Sequence, residues 1–329
     1  MQWLCGAMAE YVENGIGGQA GQETNKDSQR TTPIGHRTAK VHHILSSYTY
    51  NRQTIKPMGS STGLPITPST NLTILNKPSA GGTPKLTIWF DIDNTLYSRH
   101  CKINEFMSQK ILAYFLKLGL PREQAQELHH RYYKEYGLAI RGLIRHHSID
   151  PLDYDKNCDL AIPLEEILSP DPKLRQLLLD IDRSKARVWC ITNAYKTHAL
   201  RVLKIMNLSD LIEGVVSCDY TNLNFHCKPE KEYYQEAVAR SLGQEPSPEN
   251  LEQADFSDHL LVDDALINIV GASKIGFGSS VHFDEDSIDA VTGAHSTKST
   301  DGTPFERITA LDQLRNLDVW KDCFVNKST

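Results

Sequence analysis

Two aspartates spaced by one residue, Asp91 and Asp93, close an apolar run of β-formers in KLTIWFDIDNTLY, residues 85–97, and Asn94 and Thr95 follow them directly. Carboxyl groups in such a place can attack an electrophile, move a proton or hold a cation. On a backbone that stayed extended, Asp91 and Asp93 would face the same side. At roughly 4 Å and an effective dielectric of about 20 they would repel by about 4 kcal/mol. Positive charge is therefore required nearby. A cluster of Asp, Asn and Thr also closes strands as an Asx-turn or a helix cap, so partners elsewhere in the chain must decide between chemistry and capping.

Other stretches supply candidate partners. Thr192 and Asn193 end the apolar run RVWCI at 187–191, and a helical pattern follows them. The backbone amides there would lie near a helix N-terminus, a place that attracts anions, although an ordinary N-cap has the same composition. Lys228 stands in Cys227-Lys228-Pro229, just before another helical pattern, and Asp263-Asp264 ends HLLV at 259–262. Clustered carboxylates without His or Cys partners suit a hard, oxygen-loving ion such as Mg²⁺. In one consistent reading Asp91 attacks phosphorus, and Asp93 protonates the leaving oxygen and later activates water. Thr192 and the Asn193 amide would hold the phosphoryl oxygens, with Thr95 at the same strand end as Asp91 and Lys228 adding positive charge.

The elements that must position these residues follow from periodicity. Leu86 to Phe90 has little polar interruption, as expected of a central parallel strand covered on both faces, and ligands sit at the carboxyl ends of such strands. Similar runs at 187–191, 214–218, 259–262 and 279–283 alternate with helical patterns, which predicts an α/β fold with a Rossmann-like parallel sheet. From Ile103 the apolar residues recur at three and four, through Phe106, Ile111, Tyr114 and Phe115, until Gly119. A second helix starts at Pro121, and a third, Leu138 to His147, contains Arg141 and Arg145. No strand pattern interrupts residues 103–168, so an all-helical insertion should roof the aspartates. The expected division is a largely disordered tail over 1–84, a core over 85–100 and 172–329, and a helical cap over 101–171. Within the tail, rich in Gly, Ser, Thr, Pro and Asn, residues 41–50 form a possible short element, and His42 and His43 read as surface residues. Residues 284–304 read as a loose linker and 305–324 as a terminal helix carrying Ile308, Leu311, Leu314, Leu317 and Trp320.

The whole chain, 329 residues with a formal net charge of −6, has no basic field for nucleic acid. Its seven cysteines form no CxxC pair, and an odd count on a long chain argues for reduced thiols. No apolar stretch approaches the 18 or more residues of a membrane span. The expectation is a cytoplasmic protein, with the nucleus as a second compartment, acting on a small anionic phosphomonoester.

FDIDNTLY, CITNA, CKP and VDD resemble, in order, the four motifs of the haloacid dehalogenase superfamily. The resemblance implies that Asp91 is the nucleophile and that Asp93 is the acid/base and offers its backbone carbonyl to Mg²⁺. It implies that Thr192 binds phosphate, that Lys228 neutralises the intermediate and that Asp264 is a direct metal ligand, with Asp263 either a second ligand or the partner of Lys228. YYKEYGLAIRGLIRHHSIDPLDYD, PLEEILSPDPKLRQLL, DIDRSKARVWCITNAYKTHALRV and FHCKPE are similar to the fungal pyrimidine 5′-nucleotidase branch of that superfamily. That branch includes suppressors of thiouracil-type toxicity and a paralogue assigned as a lysophosphatidic acid phosphatase. It implies a Rossmann-like core with a helical cap and hydrolysis of nucleoside monophosphates such as UMP and CMP. Residues 1–84 fall outside the likeness, Ala265 stands where serine is frequent, and Lys231 replaces a frequent second proline. Tyr132, Tyr133, Tyr136, Arg141 and His146 of the cap could stack on and hydrogen-bond a pyrimidine, whereas Leu138, Ile140 and Leu143 could line an acyl path. A dehalogenase would leave Asp93 without a task, and the intact set of acids, Thr192 and Lys228 argues against an inactive binding module.

Overall fold

The computed structural model describes residues 71–76, 85–287 and 295–325. Its sheet runs in the order β1-β4-β3-β2-β5-β6-β8-β7, where β1 is Leu72–Ile74, β2 Leu86–Phe90, β3 Ala186–Tyr195, β4 Gly214–Cys218, β5 His259–Asp263, β6 Ser279–Phe283, β7 His295–Lys298 and β8 Pro304–Ile308. The six inner strands are parallel, and the two outer ones pair antiparallel. From β2 the chain first winds outward through β3 and β4, then returns to place β5 on the other side of β2. The strand order reverses at the β2/β5 boundary, and a crevice opens at the carboxyl ends of strands where such a reversal occurs.

Alternation along the inner strands feeds two apolar layers. Ile88, Phe90, Val188, Leu260 and Val262 enter one, with Leu174, Leu177 and Leu178 of a helix over Pro172–Leu179 and Val202 and Leu203 of a helix over Lys196–Ile205. Trp89, Trp189, Ile191 and Leu261 enter the other, with Tyr233, Tyr234 and Val238 of a helix over Lys231–Ser241. Both faces of the sheet are thus covered, as the near-continuous apolar strands require.

Between β2 and β3 the described residues form helices only. After a 3₁₀ turn at Arg99–Cys101, the first three α-helices are α1 (Ile103–Lys117), α2 (Arg122–Tyr136) and α3 (Ala139–His147). Gly137, at φ +79, ends α2 in the left-handed conformation that glycine adopts without strain.

Two expectations need correction, and a third gains detail. Leu72–Ile74 lies within the segment expected to be a largely disordered tail, yet it forms a strand on β4, and Asn76 donates to the carbonyls of Ser209 and Ile212 at 2.7 Å each. The possible element at 41–50, with His42 and His43, lies outside the described residues. The expected linker contains β7, which pairs with β8. His295–Lys298 is polar and its residues alternate between half-buried and exposed, so sequence patterning resembled a loop while pairing with a neighbour decided the strand. The expected terminal helix is instead β8, a 3₁₀ segment at Leu311–Asn316 and one helical turn at Asp318–Lys321. Leu311, Leu314, Leu317 and Trp320 recur every third residue, the period of a 3₁₀ turn.

Candidate active site

The β2 ladder extends one residue past Phe90, because the Asp91 amide donates to the Val262 carbonyl at 2.9 Å. The backbone then turns. Thr95 and Leu96 amides donate to the Ile92 carbonyl, and Asn94 adopts φ 58, a left-handed conformation that asparagine tolerates. The alternation expected to turn Asp91 and Asp93 to one side therefore stops at Asp91, and the two carboxylates have different partners.

Asp91 faces Lys228. The Lys228 ammonium, 2% exposed, donates to Asp91 Oδ1 and Asp263 Oδ2 at 2.6 Å each and to the Ile191 carbonyl at 3.1 Å. Thr95 donates to the other Asp91 oxygen at 3.3 Å. The loop that brings Lys228 here is clasped by Asn193, whose side chain donates to the Lys228 carbonyl at 3.0 Å and accepts from the Lys228 amide at 2.8 Å. Thr192 accepts from the Ala194 amide at 3.0 Å, and its own carbonyl accepts from Tyr233 at 2.6 Å. The carboxyl ends of β2, β3 and β5 and the Lys228 loop thus converge at one place.

Asp263 spends both oxygens on protein partners: Oδ2 on Lys228, and Oδ1 on the Ala265 amide at 2.8 Å and the Asn268 side chain at 3.0 Å. Asp264 accepts from Asn94 at 3.3 Å through Oδ2, while its Oδ1 is buried without a partner. Oxygens of Asp91, Asp263 and Asp264 lie within 4.8 Å of one another. Three carboxylates face one ammonium, so negative charge is in excess. Burial, offset in part by Lys228 and reinforced by Asp263 and Asp93, pushes the Asp91 carboxyl up to about 7. Burial, then the charges of Asp263 and Asp91, raise Asp264 well above the usual range. An all-oxygen donor set with surplus charge and an orphaned carboxylate oxygen fits a hard divalent cation.

Asp93 belongs to a second cluster. Its Oδ1 accepts from Tyr97 at 2.6 Å and lies 2.7 Å from His198 Nε2. Burial opposes ionisation of both groups, but the pair wins: the His198 charge and its hydrogen bond hold Asp93 below its ordinary value, and Asp93 holds His198 above its own. Neither Tyr97 nor His198 was singled out from sequence. Tyr97 follows Asp93 by four residues and was legible as part of the turn, whereas His198 lies in the helix after β3 and only the parallel pairing of β2 with β3 brings it close.

The α2 helix carries Tyr133, whose hydroxyl burial and the nearby charges of Asp264 and Asp263 push up beyond its ordinary value. Tyr132 and Tyr136 instead pair with His147 and His146 at 2.8 Å each, and Ile140 and Leu143 are buried in the apolar layer. Arg141 donates to Glu230 at 2.9 Å, the Tyr136 carbonyl at 2.8 Å and Cys227 Sγ at 3.2 Å. Its guanidinium is tied to the Lys228 loop and stacks over Phe225, and no carboxylate of the Asp91 cluster is among these partners. The six cysteines among the described residues are unpaired, and no helix among those residues is long and apolar enough to cross a membrane.

A profile of the family described as haloacid dehalogenase-like hydrolase matches residues 86–276. The Phosphate metabolism protein 8 of Saccharomyces cerevisiae is 34% identical over 223 residues, 64% of this chain and 66% of its own, so the match spans just under two thirds of that relative's length. Among solved structures, the hydrolase YfnB of Bacillus subtilis, bound to magnesium, aligns at 16% identity and a TM-score of 0.42, covering 71% of this chain and 98% of that one. A HAD phosphatase from Thermococcus onnurineus aligns at 21% identity and a TM-score of 0.42, covering 70% of this chain and 96% of that one.

Proposed function

The chain belongs to the haloacid dehalogenase-like hydrolase family, and from that premise we propose that it is a Mg²⁺-dependent phosphomonoesterase whose substrates are pyrimidine nucleoside 5′-monophosphates such as UMP and CMP. In this reading Asp91 attacks phosphorus and forms an aspartyl-phosphate while the ester oxygen leaves with a proton from Asp93, which the negative charge of the incoming phosphate would protonate against the pull of His198. Asp93 then takes a proton from water as that water attacks phosphorus, which releases phosphate and restores Asp91. Lys228 balances the Asp91 charge and keeps the carboxylate in place, and Asn193 fixes the loop that carries Lys228. Thr192, the Asn193 amide and Thr95 are the groups assigned to the phosphoryl oxygens. Asp91, the Asp93 carbonyl and Asp264 would hold Mg²⁺, with Asp263 committed to Lys228. When bound, the ion would offset the surplus negative charge and polarise the phosphoryl group.

The observation that carries the reading is the separation of the two aspartates by partner: Asp91 against an ammonium, Asp93 against two donors that occupy Oδ1 and leave Oδ2 without a partner among the described residues. Halide displacement would need the first and give the second no task. The name of the yeast relative, a phosphate metabolism protein, agrees with phosphate chemistry. A lysophosphatidic acid substrate has less support, since Ile140 and Leu143 are buried in the apolar layer and only half-buried Leu138 is left of the three residues that could line an acyl path. Tyr133, whose hydroxyl senses the charges of Asp264 and Asp263, is the residue of the helical stretch after β2 assigned to meet the base.

Asp91→Asn should keep the circular dichroism of the wild type and abolish turnover of p-nitrophenyl phosphate in Mg²⁺; retained turnover would rule the nucleophile out. Phosphate release from UMP, CMP, AMP and lysophosphatidic acid, compared on one preparation, tests the substrate. Cleavage of the lipid alone would overturn the nucleotidase assignment.

A further inference from the structure

Tyr97 and His198 reach Asp93 from independent elements. Tyr97 comes from the turn that leaves β2, and His198 from the first turn of the helix over Lys196–Ile205 that follows β3. Both end on the same oxygen, Oδ1, at 2.6 and 2.7 Å. Oδ2 has no hydrogen-bond partner among the described residues, and the Asp93 side chain keeps 12% of its surface exposed while the His198 side chain keeps 1%. His198 Nδ1 also has no protein partner, so the ring's polar tie is to Asp93 alone. The imidazole and the phenol differ from a generic core contact in this respect: each spends its polar end on one carboxylate oxygen.

Resting on the phosphatase reading above, we infer that Tyr97 and His198 are positioning residues that clamp Asp93 through Oδ1 and so present Oδ2 to the leaving oxygen. A carboxyl group free to rotate would offer either oxygen to the ester and spend part of its time turned away. Two donors on one oxygen remove that freedom, and alignment of a proton donor with its acceptor is what general acid catalysis depends on. The clamp matters in proportion to the need for a proton. An alkoxide leaves poorly without one, whereas p-nitrophenolate leaves unaided.

The test compares two substrates of one enzyme: p-nitrophenyl phosphate, and whichever of UMP and lysophosphatidic acid the wild type cleaves, both of which release an alkoxide oxygen. In Tyr97→Phe, which keeps the ring and removes only the hydroxyl, kcat/KM on the alkyl ester, which reports formation of the aspartyl-phosphate and not its hydrolysis, should fall by about tenfold or more relative to kcat/KM on the aryl ester. His198→Leu should show the same selective loss, and His198→Gln, which retains an N–H near the Nε2 position, should recover part of it. In an Asp93→Asn background Tyr97→Phe should add no further selectivity. Equal losses of kcat/KM on both esters, or no loss in Tyr97→Phe and His198→Gln alike, would show these residues to be structural only. A wild type inert towards every phosphomonoester would remove the phosphatase reading and this assignment together, whereas an active wild type with unselective variants would remove the assignment alone.

Discussion

Lys228 answers the electrostatic demand raised by clustered aspartates, and its 2.6 Å contacts with both Asp91 and Asp263 mean that either carboxylate alone would leave the ammonium less well paired. A buried ion pair of this kind contributes little net stability against its desolvation cost, so its placement at the end of β2 is better explained by chemistry than by folding. A different residue links the fold to pH. His259, buried at the start of β5, accepts from Trp89 Nε1 through Nδ1 at 2.9 Å and stacks against the same indole. Burial, outweighing the pull of Asp258 and Asp255, lowers it from 6.5 to about 4. The sign follows from a depressed histidine: above pH 6.5 both states are neutral and its contribution is complete, and as pH falls towards 4 the unfolded chain takes up a proton that the folded chain refuses. Acidification from pH 7.5 to 5 should therefore cost about 2 kcal/mol through this residue. His259→Gln, which keeps an acceptor for Trp89, should flatten that limb in urea unfolding, and an unchanged slope would point to other groups.

At the scale of elements, α2 and α3 cross where glycine permits it. A Cβ on Gly142 of α3 would stand 2.1 Å from the Tyr132 ring of α2, and Tyr132 has no room to move because it stacks on His146 and pairs with His147. Alanine at 142 would gain about 1 kcal/mol of helix propensity but meet an overpacking cost of about 1–3 kcal/mol. Sterics should win, so Gly142→Ala should lower the melting temperature; a rise would mean that the crossing can open. The same contest between local preference and packing explains why the terminal segment was misread. Apolar residues every third position suit a helix on paper, but Phe305 and Ile308 are taken by a strand that pairs with β6. Leu311–Asn316 is wound as a tighter 3₁₀ segment, and only one α-helical turn, Asp318–Lys321, follows it, carrying Trp320 with its Nε1 donating to Ser279 at 2.8 Å.

For the molecule as a whole, β1 makes a truncation informative. Deletion of residues 1–68 retains Leu72–Ile74 and the Asn76 bonds, whereas deletion of 1–80 removes both and exposes the edge of β4. The longer deletion should melt at a lower temperature than the shorter one and be more prone to aggregate, as open strand edges are; equal melting would assign β1 no part in stability. Read by itself, the sequence determined five of the inner strands, β2 to β6, the order of their chemistry-bearing ends, the parallel α/β class and the helical stretch after β2, because each is written in a local pattern: apolar runs that stop at Asp91, Thr192 and Asp263, and a period near 3.6 from Ile103. Tertiary structure alone decided the partners. Which oxygen of Asp93 is held, that Asp263 faces Lys228, that Arg141 turns to Glu230 and that His295–Lys298 becomes a strand all depend on groups brought together from distant parts of the chain, and distance along the chain carries no record of that proximity.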